Sequence, residues 1–484
     1  MMRWIAFWLC LALTACSQNT SHGEIRMALS QTPLNLDPRY ATDAASERIN
    51  RLIYQPLVDF DEHSRVRPAL ASWQQLSPVQ YRFTIIRQDR HFHDGSVLTA
   101  ADVVATYQSL LALRDSPHSS EFANISEVQA INADTLDFSL HTQDAGFPAR
   151  LIIGILPAAL IEKGYDFAHM PMGSGPLKFV SWQGALKLER VADKQLFTLQ
   201  EVKDPTVRVL KLLRGEVDLL QGDLPPELVG YLRHQPAVEV HESIGANFSY
   251  LGFNLQDPLL AKSEVRRAIA HAIDRQAIIR HALVGGSRAA TAILPPEHWA
   301  SNPDLQPYDY NPKLARELLQ QAGVKLPLKL IYKTSTDAQR VRLATMMQAQ
   351  MQRAGIELEI RSLDWGTFFD DIKHGKFQLY GLTWVGIKTP EIYRVAFHSD
   401  AIPPKGANRG HFEDKILDDL IAQAATGDEQ GWRKVTAHAH QVLPYVPLWY
   451  EGQFVAMRSN LSNYSLQPDG NWDGLATIRK THAD

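Results

Sequence analysis

The chain has 484 residues, long enough for several domains rather than one core. Its 49 Lys and Arg against 53 Asp and Glu leave a net charge of −4, which argues against a surface built mainly for nucleic acid. With 45% hydrophobic and 21% charged residues, the composition is that of a folded globular protein and excludes wholesale disorder.

The first element is a leader. Met1-Met2-Arg3 precedes an apolar run from Trp4 to Leu13, which has signal-peptide length and falls short of the ~20 residues of a membrane span. Leu13-Thr14-Ala15-Cys16 resembles a bacterial lipobox, in which the Cys thiol carries the lipid; an ordinary secretory signal cleaved near Ala15 is the alternative. Residues 1–15 are the expected signal peptide, and 16–23 the expected lipidated, polar linker tethering a soluble body through Cys16. Both cysteines, Cys10 and Cys16, lie in this segment, so they build no disulfide framework and no Cys-based zinc site.

Glu24 to Leu29 alternates and predicts a strand, as does Tyr81 to Ile86. After the Asp94-Gly95 turn, Thr99 and Asp102 have the spacing of a capping box ahead of the helical run Val103, Tyr107, Leu110, Leu111. A further helix is expected from Glu264 to Leu283, with Ser263 as its cap and Gly285-Gly286 beyond its end. Asn311-Pro312 predicts a helix start and Gly323 its stop. Asp337 to Ala354 carries Val341, Ala344, Met347 and Met351 on one stripe. Strands are expected over Ile356–Ile360 and Phe377–Thr383, with a short helix over Thr367–Lys373 between them. This helix–strand alternation favours an α/β layered architecture.

Catalytic signatures are missing from the pattern. Gly173-Ser174-Gly175-Pro176 lacks the spacing of a nucleophile elbow, and there is no P-loop, dinucleotide fingerprint or His-Glu-x-x-His. His91-Phe92-His93-Asp94 could set two imidazoles on one face of a strand, but is better explained as a strand end entering an Asp-Gly turn. His438 and His440 stand two apart on an expected helix and point in different directions.

Several segments, in order, resemble one family. They are LNLDP (34–38), IYQPLVDFD (53–61), RPALASW (67–73), FHDGSVLTAADV (92–103) and GSGPLKFV (173–180). GEVDL (215–219), YLGFNL (250–255), VRRAIAHAIDR (265–275), YNPKLARELLQQAG (310–323) and VPLWY (446–450) follow. Together they resemble the family 5 extracellular solute-binding proteins, receptors of dipeptide, oligopeptide and nickel ABC importers. ERVADKQLF (189–197) departs from the family's aromatic-rich stretch.

The resemblance implies a two-lobed α/β fold of the periplasmic-binding-protein type II class, with a hinge and an extra domain inserted in the first lobe. Residues 24–50, 173–255 and 452–484 would form the first lobe, 51–172 the inserted domain and 256–451 the second lobe, with crossings near Gly252–Leu255 and Tyr450–Phe454. It further implies a monomeric receptor, not an enzyme, with no cofactor and no metal site. That receptor would hold a peptide or peptide-like ligand between the lobes and pass it to an ABC permease of the inner membrane. Its expected place is the periplasmic side of a bacterial membrane, or the cell surface where no outer membrane exists. A metal-chelate or haem-type ligand on the same fold, and a non-transport lipoprotein presenting ligand to a partner, are the alternatives.

The expected ligand residues follow from the same resemblance. In peptide-binding members the loop matching Leu382 to Pro390 has a Trp and then an Asp that pairs with the peptide's α-ammonium. Here Trp384 is present, but Ile387 or Lys388 stands at the Asp position, with Thr389 beside them, and Glu391 three residues on is the alternative source of the missing charge. A lysine there prefers a carboxylate or phosphate and disfavours a free amine. Lys333 follows a strand near the family's cation for the peptide carboxylate, and Asn408-Arg409 precedes a late helix of the second lobe.

Overall fold

The computed structural model describes residues 23–113, 115–403 and 406–481, so the expected signal peptide and Cys16 lie outside the described residues. A mixed sheet of eleven strands runs through the molecule. At one end Leu328–Ser335 and Ile356–Leu363 pair in parallel, joined by the helix Ala338–Gln352, as a parallel connection requires. Leu379–Trp384 continues this end. At the other end Ile25–Leu29 lies parallel to Leu196–Glu201, which turns back onto Ala185–Arg190 and Leu177–Gln183.

Two long strands, Val238–Phe253 and Tyr445–Arg458, join the ends. They pair antiparallel from Val238↔Arg458 to Gly252↔Tyr445, with register breaks between Ser243 and Asn247 and between Ser249 and Tyr250. Before the first break Val238 packs with Phe454 and Ala456 in a core shared with Val209, Leu212 and Leu220. Beyond it Phe248 and Tyr250 pack with Tyr445 and Tyr450, and Leu251 with Val446 and Leu448. One strand pair thus passes from the core of one lobe into that of the other. Glycines allow the kink: a Cβ on Gly245 would lie 1.4 Å from the Glu451 carbonyl oxygen, and one on Gly452 would lie 2.2 Å from that of Gly285.

A separate four-stranded antiparallel sheet, Ala71–Ser77, Gln80–Ile85, Thr135–Leu140 and Ile125–Ala130, carries its own core of Phe83, Tyr107, Phe122 and Phe138. The helix Ala100–Ala112 packs on it. Its expected capping box is formed, with Thr99 N–H donating to Asp102 at 2.7 Å.

Most predicted elements are present within a residue or two, Asn311 capping Pro312–Gln321 among them. The helix expected over Glu264–Leu283 is a correction: it is two, Ser263–His271 and Arg275–Ala282. Asp274 starts the second by accepting from Ala277 N–H at 2.9 Å. The buried Arg275 guanidinium takes the carbonyls of Ala270 and Ile273 that the first helix leaves open, together with those of Tyr308 and Pro447.

Candidate functional site

The strand Leu379–Trp384 delivers its C-terminal end to the place where the long strands cross between lobes. Trp384 pairs with Phe248, and Thr383 with Ser249, just beyond the first register break. Ligands of α/β sheets gather at such strand ends. Beneath this end lies a polar knot. The Glu451 carboxylate accepts from Ser249 Oγ at 2.6 Å, Thr383 Oγ1 at 3.1 Å and Arg340 at 2.9 Å. Burial alone would raise its pKa, but Arg340 and these hydroxyls hold it below the usual carboxylate range.

Arg409 faces the same strand end. Its guanidinium sits over the Trp384 ring at 5.1 Å and over Phe369 at 5.5 Å, and donates one long bond of 3.4 Å to the Tyr250 hydroxyl. Burial pushes the phenols of Tyr250, Tyr380 and Tyr445 up, so they stay neutral and leave the positive charge uncancelled. Among the described residues no carboxylate pairs with Arg409, and the Trp384 indole N–H has no acceptor. The tyrosines themselves stack, Tyr250 on Tyr445 at 4.1 Å.

The loop beyond Trp384 is tied to both lobes. Gly386 N–H reaches Asn247 Oδ1 at 3.3 Å, and Ile387 packs on the second-lobe core. Lys388 donates to Asp469 at 2.5 Å, an ion pair whose carboxylate comes from the first-lobe C-terminal segment. Burial works against ionised Asp469, yet Lys388 and the Asn471 N–H hold its pKa below the usual range. The preference of Lys388 for a carboxylate is thus met within the protein. Its carbonyl accepts from His298 Nε2 at 3.0 Å, while His298 Nδ1 accepts from Ala300 N–H at 3.0 Å.

Two predicted residues are placed elsewhere. Lys333 donates to Asp371 at 2.6 Å and to the Lys376 carbonyl at 2.5 Å, within the second lobe. Asn408 is buried; its side chain bonds the backbone of Phe397, His398 and Phe412 and pins that turn. Trp384 and Arg409 are brought together; Ile387, Lys388 and Thr389 follow on the adjoining loop. His91 and His93 separate, His91 pairing with Asp89 and His93 bonding the Gly175 carbonyl, and among the described residues no group of three or more His, Cys, Asp or Glu could hold a metal ion. Sequence reasoning missed Asp469, Glu451 and Arg340, whose partners lie 81, 202 and 111 residues away along the chain.

A cavity of about 410 Å³ adjoins this loop, between the inserted sheet and the second lobe. Lys388, Thr389 and Glu391 line it together with Phe60, Trp73 and Arg150. Contacts span the gap around it: Arg65 bonds Glu429 with both nitrogens, at 2.8 and 3.1 Å, and Trp299 N–H donates to the His63 carbonyl. Farther off, Glu227 of the first lobe pairs with Arg342 of the second.

Comparison with known proteins gives this architecture relatives. The "Dipeptide-binding protein" of Escherichia coli is 24% identical over 497 aligned positions, covering 91% of each chain. The ABC transporter substrate-binding protein CtaP of Listeria monocytogenes superposes with a TM-score of 0.85 at 24% identity, over 96% of this chain and 100% of that one. NikZ of Campylobacter jejuni, in complex with Ni(L-His), superposes with a TM-score of 0.79 at 22% identity, over 94% of this chain and 99% of that one. No helix among the described residues is long and apolar enough to cross a membrane. The model of the bacterial extracellular solute-binding proteins, family 5, matches residues 65–400, more than half of the chain, and the chain belongs to that family of extracytoplasmic, non-enzymatic receptors.

Proposed function

We propose that this protein is the receptor of an ABC importer and carries a peptide or peptide-like compound in the cleft beside Trp384 and Arg409. The observation that carries the reading is the uncancelled Arg409 guanidinium held between two aromatic rings at the end of a central strand. Such a group offers several unspent donors to an anionic end of a ligand, and the rings offer it an apolar flank. The dipeptide-binding relative supports the choice of ligand class. Of the expected ligand residues, Trp384, Ile387, Thr389 and Arg409 carry the proposal; Lys388, Lys333 and Asn408 act as its frame, since their polar groups already have partners.

The domain division belongs to the same proposal: 24–50, 173–255 and 452–484 as the first lobe, 51–172 as the insert and 256–451 as the second lobe. The separate cores support it, and the register break between Ser243 and Asn247 favours a first crossing a few residues before Gly252. We further propose a monomer anchored through lipidated Cys16 and delivering to an inner-membrane permease.

A soluble form starting at Ser17, examined by native mass spectrometry, tests the reading. The expected result is a bound peptide-sized compound released on denaturation, and at least tenfold weaker binding of it in Arg409→Gln. Recovery of stoichiometric metal with a small chelator would replace the peptide by a chelate, as in NikZ. An empty protein that no peptide stabilises would overturn the reading.

A further inference from the structure

Ion pairs run between the two halves of the molecule that the long strands join. The insert goes with the first lobe. Arg39 of that lobe donates to Ser109 Oγ at 3.1 Å, Ser116 Oγ donates to the Arg39 carbonyl at 2.7 Å, and His118 Nε2 bonds the Ala41 carbonyl at 2.7 Å. From this half Asp469, Glu227, Arg65 and Arg150 reach across, and from the second lobe Lys388, Arg342, Glu429 and Glu391 meet them. Each half contributes two of these cations and two of these carboxylates. The attraction is therefore between individual partners in one register, not between bodies of opposite net charge.

The pairs differ in strength. Arg65–Glu429 and Glu227–Arg342 are about half exposed, and water screens them. Arg150 stands 3.9 Å from Glu391 and holds Asp144 closer, at 3.0 Å. Lys388–Asp469 is the strongest, at 2.5 Å and with its carboxylate largely buried. Each end of it is fixed in its own half. Asp469 accepts from Asn471 N–H at 2.9 Å, and the neighbouring Gly470 carbonyl accepts from Gln221 of the first-lobe sheet at 3.0 Å. Lys388 is held through its carbonyl by His298 of the second lobe. Parting the lobes breaks this pair rather than carrying it along. Opening also returns both ions to water, so such a pair favours the closed form by a modest factor that salt reduces.

We propose that these pairs, with Lys388–Asp469 as the chief member, form an electrostatic latch that holds the lobes together without help from the ligand. A latched receptor populates its closed form in advance and raises the affinity of every ligand that needs closure by one common factor. Loss of the latch weakens all such ligands alike, whereas loss of a ligand contact changes their ranking.

Both cysteines precede Ser17, so the Ser17-onward protein takes thiol-directed spin labels only where cysteines are introduced. Lys203→Cys on the first lobe and Lys329→Cys on the second replace exposed side chains. Pulsed dipolar spectroscopy, on protein dialysed through dilute denaturant to strip bound compounds, reads the ratio of closed to open label distances. Sodium chloride is raised from about 0.01 to about 1 M, which shortens the Debye length from ~30 to ~3 Å. The closed-to-open ratio is expected to fall on the order of tenfold. A ratio indifferent to salt would overturn the proposal, and that measurement requires no change to the latch residues. Lys388→Met combined with Asp469→Asn leaves no lone charge; it should open the protein at low salt and shrink the remaining salt response. A double variant as closed as its parent would also overturn the latch. No ligand enters the measurement, so its outcome stands apart from the identity of the compound carried.

Discussion

Asp469 is one-tenth exposed and Lys388 about one-quarter, so their ion pair is partly desolvated. Removing one member leaves a partly desolvated charge without its partner, which costs more than the intact pair contributes. Asp469→Asn is expected to lower stability by on the order of 2 kcal/mol in urea unfolding. Lys388→Met combined with Asp469→Asn should recover part of that loss, and additive losses would refute the coupling. His298 gives a second residue-scale prediction. Burial, with the Lys388 charge nearby, pushes its pKa down to about 4 from the ordinary 6.5. Between those values the unfolded chain binds a proton that the native ring refuses, because Nδ1 is occupied by the Ala300 N–H. The resulting stability is full above pH 6.5 and is lost as pH falls toward 4, at up to about 1.4 kcal/mol per pH unit. The slope of unfolding free energy over that window should flatten in His298→Gln; an unchanged slope would place the acid sensitivity elsewhere.

At the scale of the element, local chemistry was legible and relayed chemistry was not. Asn311-Pro312 and Thr99 with Asp102 declare helix starts within four residues, because a cap needs only its own first turn. Asp274 is a cap of the same kind, yet it sits inside a continuous apolar stripe, where an Asp is equally compatible with a helix interior. What breaks the helix there is the Arg275 guanidinium, and two of its four carbonyl partners, on Tyr308 and Pro447, are distant in sequence. Asp274→Ala should cost about 1 kcal/mol by loss of the cap. Circular dichroism should show the two helices still separate, since the arginine remains; a rise in helix content would assign the break to Asp274 alone. The loop after Leu382 divides the same way. Its position at a strand end was visible in the pattern, whereas the partners of Lys388, Lys333 and Asn408 were not. Pairing across 81 residues leaves no periodicity to detect.

On the scale of the molecule, the alternation of helices and strands gives an α/β protein of several lobes, whereas two lobes with an insert follow from the resemblance of its segments to the family. The place of the crossing was less legible: the kink is made by Gly245 against the Glu451 carbonyl, a contact between segments from opposite ends of the fold. Gly245→Ala would drive a methyl group into that oxygen and force the strands apart. The expected outcome is a destabilisation of about 2 kcal/mol or more, with a larger radius of gyration in X-ray scattering of the unliganded protein. A variant as compact and stable as the parent would mean that the kink is not the joint.

The two connections between the lobes are paired with each other on both sides of the register break rather than running as separate tethers. Neither can lengthen, shorten or twist without its neighbour following, so the lobes share one axis of rotation and lack the freedom of a ball joint. A single inserted residue in either strand would turn its inward side chains outward on one side of the break. Over evolutionary drift this stretch can therefore exchange residues but not change its length, and variation in ligand preference is left to the loops and to the insert.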